Sequence, residues 1–165
     1  MWRREDNIPS IALPHLELVL LGIHPNTPGD LDAAAYTRAL LAAVERNPCI
    51  DMLTHLDSGG PFPVDLRPVV RAAKSCGVLI ELNNSKLLLD RIPVERMREL
   101  VRICKEEECP MAIGSDAHVL NELGRDEHAR ALLAEESFPD SLWVNRTEEK
   151  AFAFIESRRA NKQAR

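Results

Sequence analysis

Short apolar runs suited to buried parallel strands recur along the chain at Leu16–Ile23, Ile50–Leu56, Val78–Asn83, Met111–Ser115 and Leu142–Asn145, with starts roughly thirty residues apart. Between them the period changes to that of a helix. In Asp65–Cys76 the apolar positions Leu66, Val69, Val70, Ala73 and Cys76 keep to one face, and Gly77 stands where a C-terminal cap belongs. Pro93 opens the next helix, striped by Val94, Met97, Val101 and Cys104. Asp30 or Asp32 can cap a helix through Tyr36, Leu40 and Val44. The last helix starts near Glu148, turns Phe152 and Ile155 inward, and ends in a basic tail, Arg158–Arg165, expected to be frayed and solvated.

A strand–helix period of this length means parallel strands joined by right-handed crossovers, hence an α/β fold: an open doubly wound sheet or part of a closed barrel. No Pro- or Gly-rich linker divides the chain, since Gly59-Gly60-Pro61 is a loop inside one unit. Residues 1–165 therefore read as one domain, with 1–13 and 159–165 as flexible termini.

Chemistry in such folds sits at the carboxyl ends of the strands. Those ends are polar here: His24 after the first run, His55 after the second, Asn83 and Asn84 after the third, Asp116 and His118 after the fourth. Alternation along a strand puts Leu20, Gly22 and His24 on one face, as it does Asp51, Leu53 and His55, and Ala112, Gly114, Asp116 and His118. Glu81 and Asn83 also share a face. Small residues beside these groups leave room for a ligand near the mouth of a barrel.

Imidazole and carboxylate together suit zinc, manganese or iron, so His24, His55, Asp116 and His118 are candidate ligands of a divalent metal. Such a metal acidifies a bound water and polarises a phosphoryl or acyl oxygen. Each residue also has a structural alternative: His24 and His55 bonded to their own loops, Asp116 capping the following helix with His118 in its first turn, Glu81 in an inward ion pair. His15, ahead of the first strand, and His128, among Arg125, Asp126, Glu127 and Arg130, read as surface. No dinucleotide fingerprint, phosphate-binding lysine loop or nucleophile elbow is present, which argues against nucleotide binding and serine hydrolase chemistry.

Composition narrows the partners. The 165 residues are 45% hydrophobic and 28% charged, enough for a folded core, and the net charge of -5 has the wrong sign for binding phosphate backbones. Nucleic acid is not expected as a partner. The most apolar stretch, Leu16–Ile23, is too short to span a bilayer and contains Glu17, so neither a membrane nor a secretory route is expected. Cys49, Cys76, Cys104 and Cys109 show no CxxC spacing and read as reduced thiols of a cytoplasmic protein.

The order His24, then Thr54-His55, then Glu81-Leu82-Asn83-Asn84-Ser85, then Gly114-Ser115-Asp116-Ala117-His118, resembles the PHP (polymerase and histidinol phosphatase) family, and within it the YcdX-like phosphatases. The likeness runs from about Leu16 to Arg158, including Asn145-Arg146 and the helix ending Phe154-Ile155-Glu156-Ser157-Arg158. It implies a distorted, TIM-like barrel of about seven βα units, a cluster of zinc, manganese or iron ions, and hydrolysis of small phosphate esters. By the same resemblance His24 and His55 would share one metal, Asp116 would bind a second and His118 a third, with Asp116 and His118 serving catalysis.

The sequence also departs from the family. The family's opening His-x-His, its following histidines and its bridging Glu precede the matched segment, and Met1–Leu13 holds none of them; the loop Leu56–Gly60 lacks the His-Pro-Gly form. The chain thus reads as the C-terminal five of about seven units. Two alternatives to a metal-dependent phosphoesterase stay open. One is a non-catalytic module completed by a partner chain or by homo-oligomerisation; the other is a metal-free α/β domain binding a small anion.

Overall fold

Four of the five apolar runs form strands. The computed structural model describes residues 12–22, 32–56, 64–88 and 93–163. In it β1 (Leu20–Gly22), β2 (Met52–Thr54), β3 (Leu79–Asn83) and β4 (Met111–Gly114) lie side by side in sequence order, each parallel to the next. The helices are α1 (Ala33–Arg46), α2 (Leu66–Cys76), α3 (Asn84–Leu88), α4 (Val94–Glu106), α5 (Glu127–Glu135) and α6 (Glu148–Gln163). Asp32 caps α1, its carboxylate accepting from the Ala35 N–H at 2.7 Å.

The fifth run departs from expectation. Leu142–Asn145 yields a single parallel bridge, Trp143 to Met111, followed by a 3-10 turn over Val144–Arg146. The cause is the Asn145 amide. Its Oδ1 accepts from the Ile113 N–H at 2.9 Å and its Nδ2 donates to the Ile113 carbonyl at 2.8 Å, so one side chain occupies the ladder positions that a strand backbone would have taken.

Register fixes which face each strand residue serves. Leu53, Ile80, Leu82, Met111 and Ile113 share the face packed by α1, α2, α4 and α5, through Leu40, Val44, Val69, Val70, Met97, Leu100, Val101, Leu132 and Leu133. Burial of each such large side chain contributes about 1.5–3 kcal/mol. Leu20, Met52, Thr54, Leu79, Glu81, Asn83, Ala112 and Gly114 point to the opposite, inward face.

The last helix also differs from its sequence reading. Phe152 is 56% exposed rather than inward, and Arg158 and Lys162 are buried instead of solvated. Asp51, at the start of β2, organises this. It accepts from Arg158 Nε at 2.8 Å, from Lys162 Nζ and from the Val19 N–H at 2.7 Å. Arg158 further donates to the carbonyls of Ile50, Pro48 and Cys76, and Lys162 to that of Leu16. The stripe that turns inward is therefore polar at its C-terminal end, which an apolar periodicity search passes over.

Three helices end in the same way. Gly77 after α2, Glu108 after α4 and Ser137 after α5 adopt left-handed φ, and the next residue's N–H returns to the last turn. Each following helix end is then held by basic residues of its neighbour at identical spacing. Arg67, Arg71 and Lys74 of α2 hold Glu106, Glu107 and the Glu107 carbonyl; Arg98, Arg102 and Lys105 of α4 hold Glu135, Glu136 and the Glu136 carbonyl. Cations at helix C-termini also complement the macrodipole.

The guanidinium groups of Arg102 and Arg98 keep the Glu136 carboxyl below the ordinary glutamate value of 4.5, as Arg71 and Arg67 do for Glu107. A lowered folded-state value gives stability that is full above the unfolded value and is lost as pH falls through the folded one. Glu136→Gln should therefore lower the thermal midpoint at pH 7, and the gap from wild type should close below about pH 4.5 in a pH series of melts. An equal gap at pH 3 and pH 7 would refute the clasp.

All four cysteines are free thiols, as expected. Cys104 and Cys109 are buried, Cys49 is half-buried and Cys76 is exposed; burial, with Cys109 adjacent, pushes the Cys104 thiol up and keeps it protonated. Among the described residues no helix is long and apolar enough to cross a membrane.

Candidate functional site

Strand alternation alone would send His55 to the helix-covered side with Leu53, which is fully buried there. The backbone overrides it. His55 takes φ 62°, a left-handed conformation that costs a non-glycine residue about 1–2 kcal/mol. The turn brings His55 Nδ1 to 3.9 Å from Glu81 Oε2, and the His55 backbone N–H donates to the same oxygen at 3.3 Å. The expectation that His55 shares the face of Asp51 and Leu53 is thus corrected: the residue ends up beside Glu81, on the inward side.

Glu81 reaches this position because β4 has no side chain beneath it. A Cβ on Gly114 would stand 3.0 Å from Glu81 Cδ and closer still to its Oε1. The carboxylate is buried, lying over Gly114 and against the end of β2. Sequence reading placed Gly114 as a small inward residue; its specific use is to seat Glu81.

Asn83 continues the same face at the end of β3 and is 0% exposed. Its Oδ1 accepts from the Lys86 N–H at 3.1 Å, while its Nδ2 has no hydrogen-bond partner among the described residues. Asn84 has a different task. Its Oδ1 accepts from the N–H groups of His128 and Ala129 at 3.0 and 2.9 Å, capping α5 from another element because Asp126, the residue ahead of that helix, makes no side-chain cap. Asn84→Ala should cost about 1–2 kcal/mol in urea unfolding and leave any ligand affinity at Asn83 unchanged. A neutral change would remove the cap.

At the end of β4, Asp116 takes φ 49° and is half-buried. His118 is exposed; its Nδ1 lies 2.7 Å from the Asp116 carbonyl and its backbone N–H donates to Glu122 Oε2 at 3.0 Å. His118 is therefore engaged with its own turn. His24 lies outside the described residues, as does Asp57. Among the described residues no three His, Cys, Asp or Glu side chains are grouped to hold a metal ion; the converging pair is His55 and Glu81.

Sequence reasoning missed the cap made by Asn84, the ladder made by Asn145 and the latch of Asp51 with Arg158 and Lys162. The doubled Asn83-Asn84 immediately after a strand was the readable signal for the first. His15 and His128 are exposed, in keeping with their reading as surface residues. A cleft of about 350 Å³ lies among Gly77, Leu79, Pro110, Phe154 and Arg158, towards the amino ends of the strands and away from His55.

No family model matches the chain. It is 34% identical over 150 residues to a protein of Caldicellulosiruptor bescii, covering 90% of this chain and 61% of that one. It is 32% identical over 154 residues to one of Acetivibrio thermocellus, covering 93% and 63%, and 30% identical over 155 residues to one of Clostridium botulinum, covering 92% and 62%. All three carry the name "Probable phosphatase". The chain is thus similar over about nine-tenths of its own length to proteins named probable phosphatases, and it spans about three-fifths of theirs.

Proposed function

We propose that the chain is a hydrolase of small phosphate esters, of the PHP type and dependent on a divalent metal, built on part of a TIM-like barrel. The observation that carries the reading is the placement of Glu81: a buried carboxylate seated over Gly114, beside His55, at the carboxyl ends of adjacent parallel strands. The left-handed φ angles of His55 and Asp116 support it, because backbone strain of this kind persists where surrounding structure holds side chains in place for use. So do the names of the relatives.

His24, His55, Asp116 and His118 would hold zinc, manganese or iron, which supplies an acidified water and neutralises charge on the phosphoryl oxygens. Among the described residues the pair that converges is His55 with Glu81, where catalytic zinc takes three ligands. The work assigned to the described residues stands apart from the ion. Glu81 fixes the end of β2 and orients the His55 ring. Asn83 Nδ2 is buried and has no partner among the described residues, where leaving a donor unpaired costs about 1–3 kcal/mol; an incoming phosphoryl oxygen would recover that cost.

Phosphate release from p-nitrophenyl phosphate, with manganese or zinc added in turn, tests the reading. The wild-type chain should turn over only with metal, and His55→Ala should lower the rate by about 100-fold. No release under any metal, or an unchanged rate in His55→Ala, would overturn it.

A further inference from the structure

The turns that close α2, α4 and α5 share one hydrogen bond. In each, the residue after the left-handed position donates its N–H back to the last helical turn: Val78 to Ala73 at 2.8 Å, Cys109 to Cys104 at 2.8 Å, and Phe138 to Leu133 at 2.9 Å. A turn of this kind brings the side chains of its two bonded residues into apolar contact. α2 uses Ala73 with Val78 and α5 uses Leu133 with Phe138, all of them buried. α4 puts two thiols in that place. Cys104 and Cys109 are both 0% exposed, and Cys109 is near enough to help push the Cys104 thiol up.

We propose that Cys104 and Cys109 form a redox-modification site, a dithiol that hydrogen peroxide closes to a disulfide, gated by the clasp of α2 on Glu107. One thiol, ionised as the turn opens, attacks the O–O bond, takes one oxygen as a sulfenic acid and releases hydroxide, which leaves as water with the proton the thiol gave up. The second thiolate attacks that sulfur and expels its hydroxyl, again as water. Two thiols and one peroxide become one disulfide and two waters, the sulfurs giving the electron pair that the peroxide takes. A disulfide spans Cα atoms roughly 4.4–6.8 Å apart, and the 2.8 Å bond between the two backbones sets these residues in that range. Neither thiol meets the oxidant in the closed turn, because both are buried. Access requires the turn 107–109 to lift. Arg67 and Arg71 hold it down through the Glu107 carboxylate at 2.7 and 2.9 Å, and Lys74 Nζ through the Glu107 carbonyl at 2.7 Å. Loosening that clasp raises the fraction of molecules in which the dithiol is open.

Treatment of the folded, reduced chain with hydrogen peroxide, blocking of the remaining thiols with N-ethylmaleimide, and mass analysis of tryptic peptides with and without reductant test this. Cleavage after Lys105 separates the two cysteines, so their disulfide shows as a joined pair of peptides that reductant parts. The joined pair is expected from wild type and should vanish in Cys109→Ser. It should form about threefold faster in Arg71→Ala, which alters an exposed side chain and should keep the circular dichroism of wild type. Thiols left unmodified in the folded chain, sulfinic acid on either residue without the joined pair, a pair formed only in urea, or an unchanged rate in Arg71→Ala would overturn the proposal. No residue of the hydrolase site takes part, so the result stands apart from that reading.

Discussion

Asp51→Asn is expected to destabilise the chain by about 3–5 kcal/mol, a large part of the stability of a domain this size. Asp51 is fully buried and faces two buried cations, Arg158 and Lys162, which α6 delivers from more than a hundred residues away. An amide cannot offset them, and both charges would be left without a carboxylate in an environment that solvates them poorly. The loss would also release α6 from the carbonyls of Ile50, Pro48 and Cys76. Urea unfolding checks it. Replacing all three, Asp51→Leu with Arg158→Met and Lys162→Met, should recover much of the loss, because a well-packed apolar trio avoids the desolvation cost. A cost under about 1 kcal/mol for Asp51→Asn would mean that the cluster is wet and weak.

Gly114→Ala is expected to spare the fold and remove the site. The new methyl would collide with the Glu81 carboxylate, which is buried and has little room to retreat. Overpacking of this kind costs about 1–3 kcal/mol, and the yielding part is the tip of Glu81. Moving that tip breaks its bond to the His55 N–H and frees the His55 ring, so phosphate release should fall by about 100-fold with a modest drop in melting temperature. Glu81→Asp in the same chain shortens the side chain by one methylene and should restore part of the activity. If Gly114→Ala keeps full activity, Glu81 has no positioning role.

Fold class was legible because its signals are local. Four apolar runs gave strands, Asp32 and Gly77 capped helices where a cap was expected, and Pro93 stands at the start of α4. What escaped depends on side chains acting as backbone or as distant partners. Asn145 replaces a strand, Asn84 caps a helix more than forty residues away, and Arg158 is buried only because Asp51 waits for it. The site was half legible. Strand-end positions marked His55, Asp116 and His118 correctly as terminal residues, yet alternation misdirected His55, because a single left-handed φ reverses the face that parity assigns. Glu81 carried no motif strong enough to separate it from an inward ion pair.

The proposed hydrolase function requires His24, His55, Asp116 and His118 to hold a divalent metal. Metal content after exhaustive dialysis, measured by inductively coupled plasma mass spectrometry on wild type, His55→Ala and Asp116→Ala, decides whether they do. The wild type should retain close to one equivalent or more of zinc, manganese or iron, and both folded variants should lose most of it. Less than about 0.3 equivalents in the wild type, or the same content in all three, would contradict it.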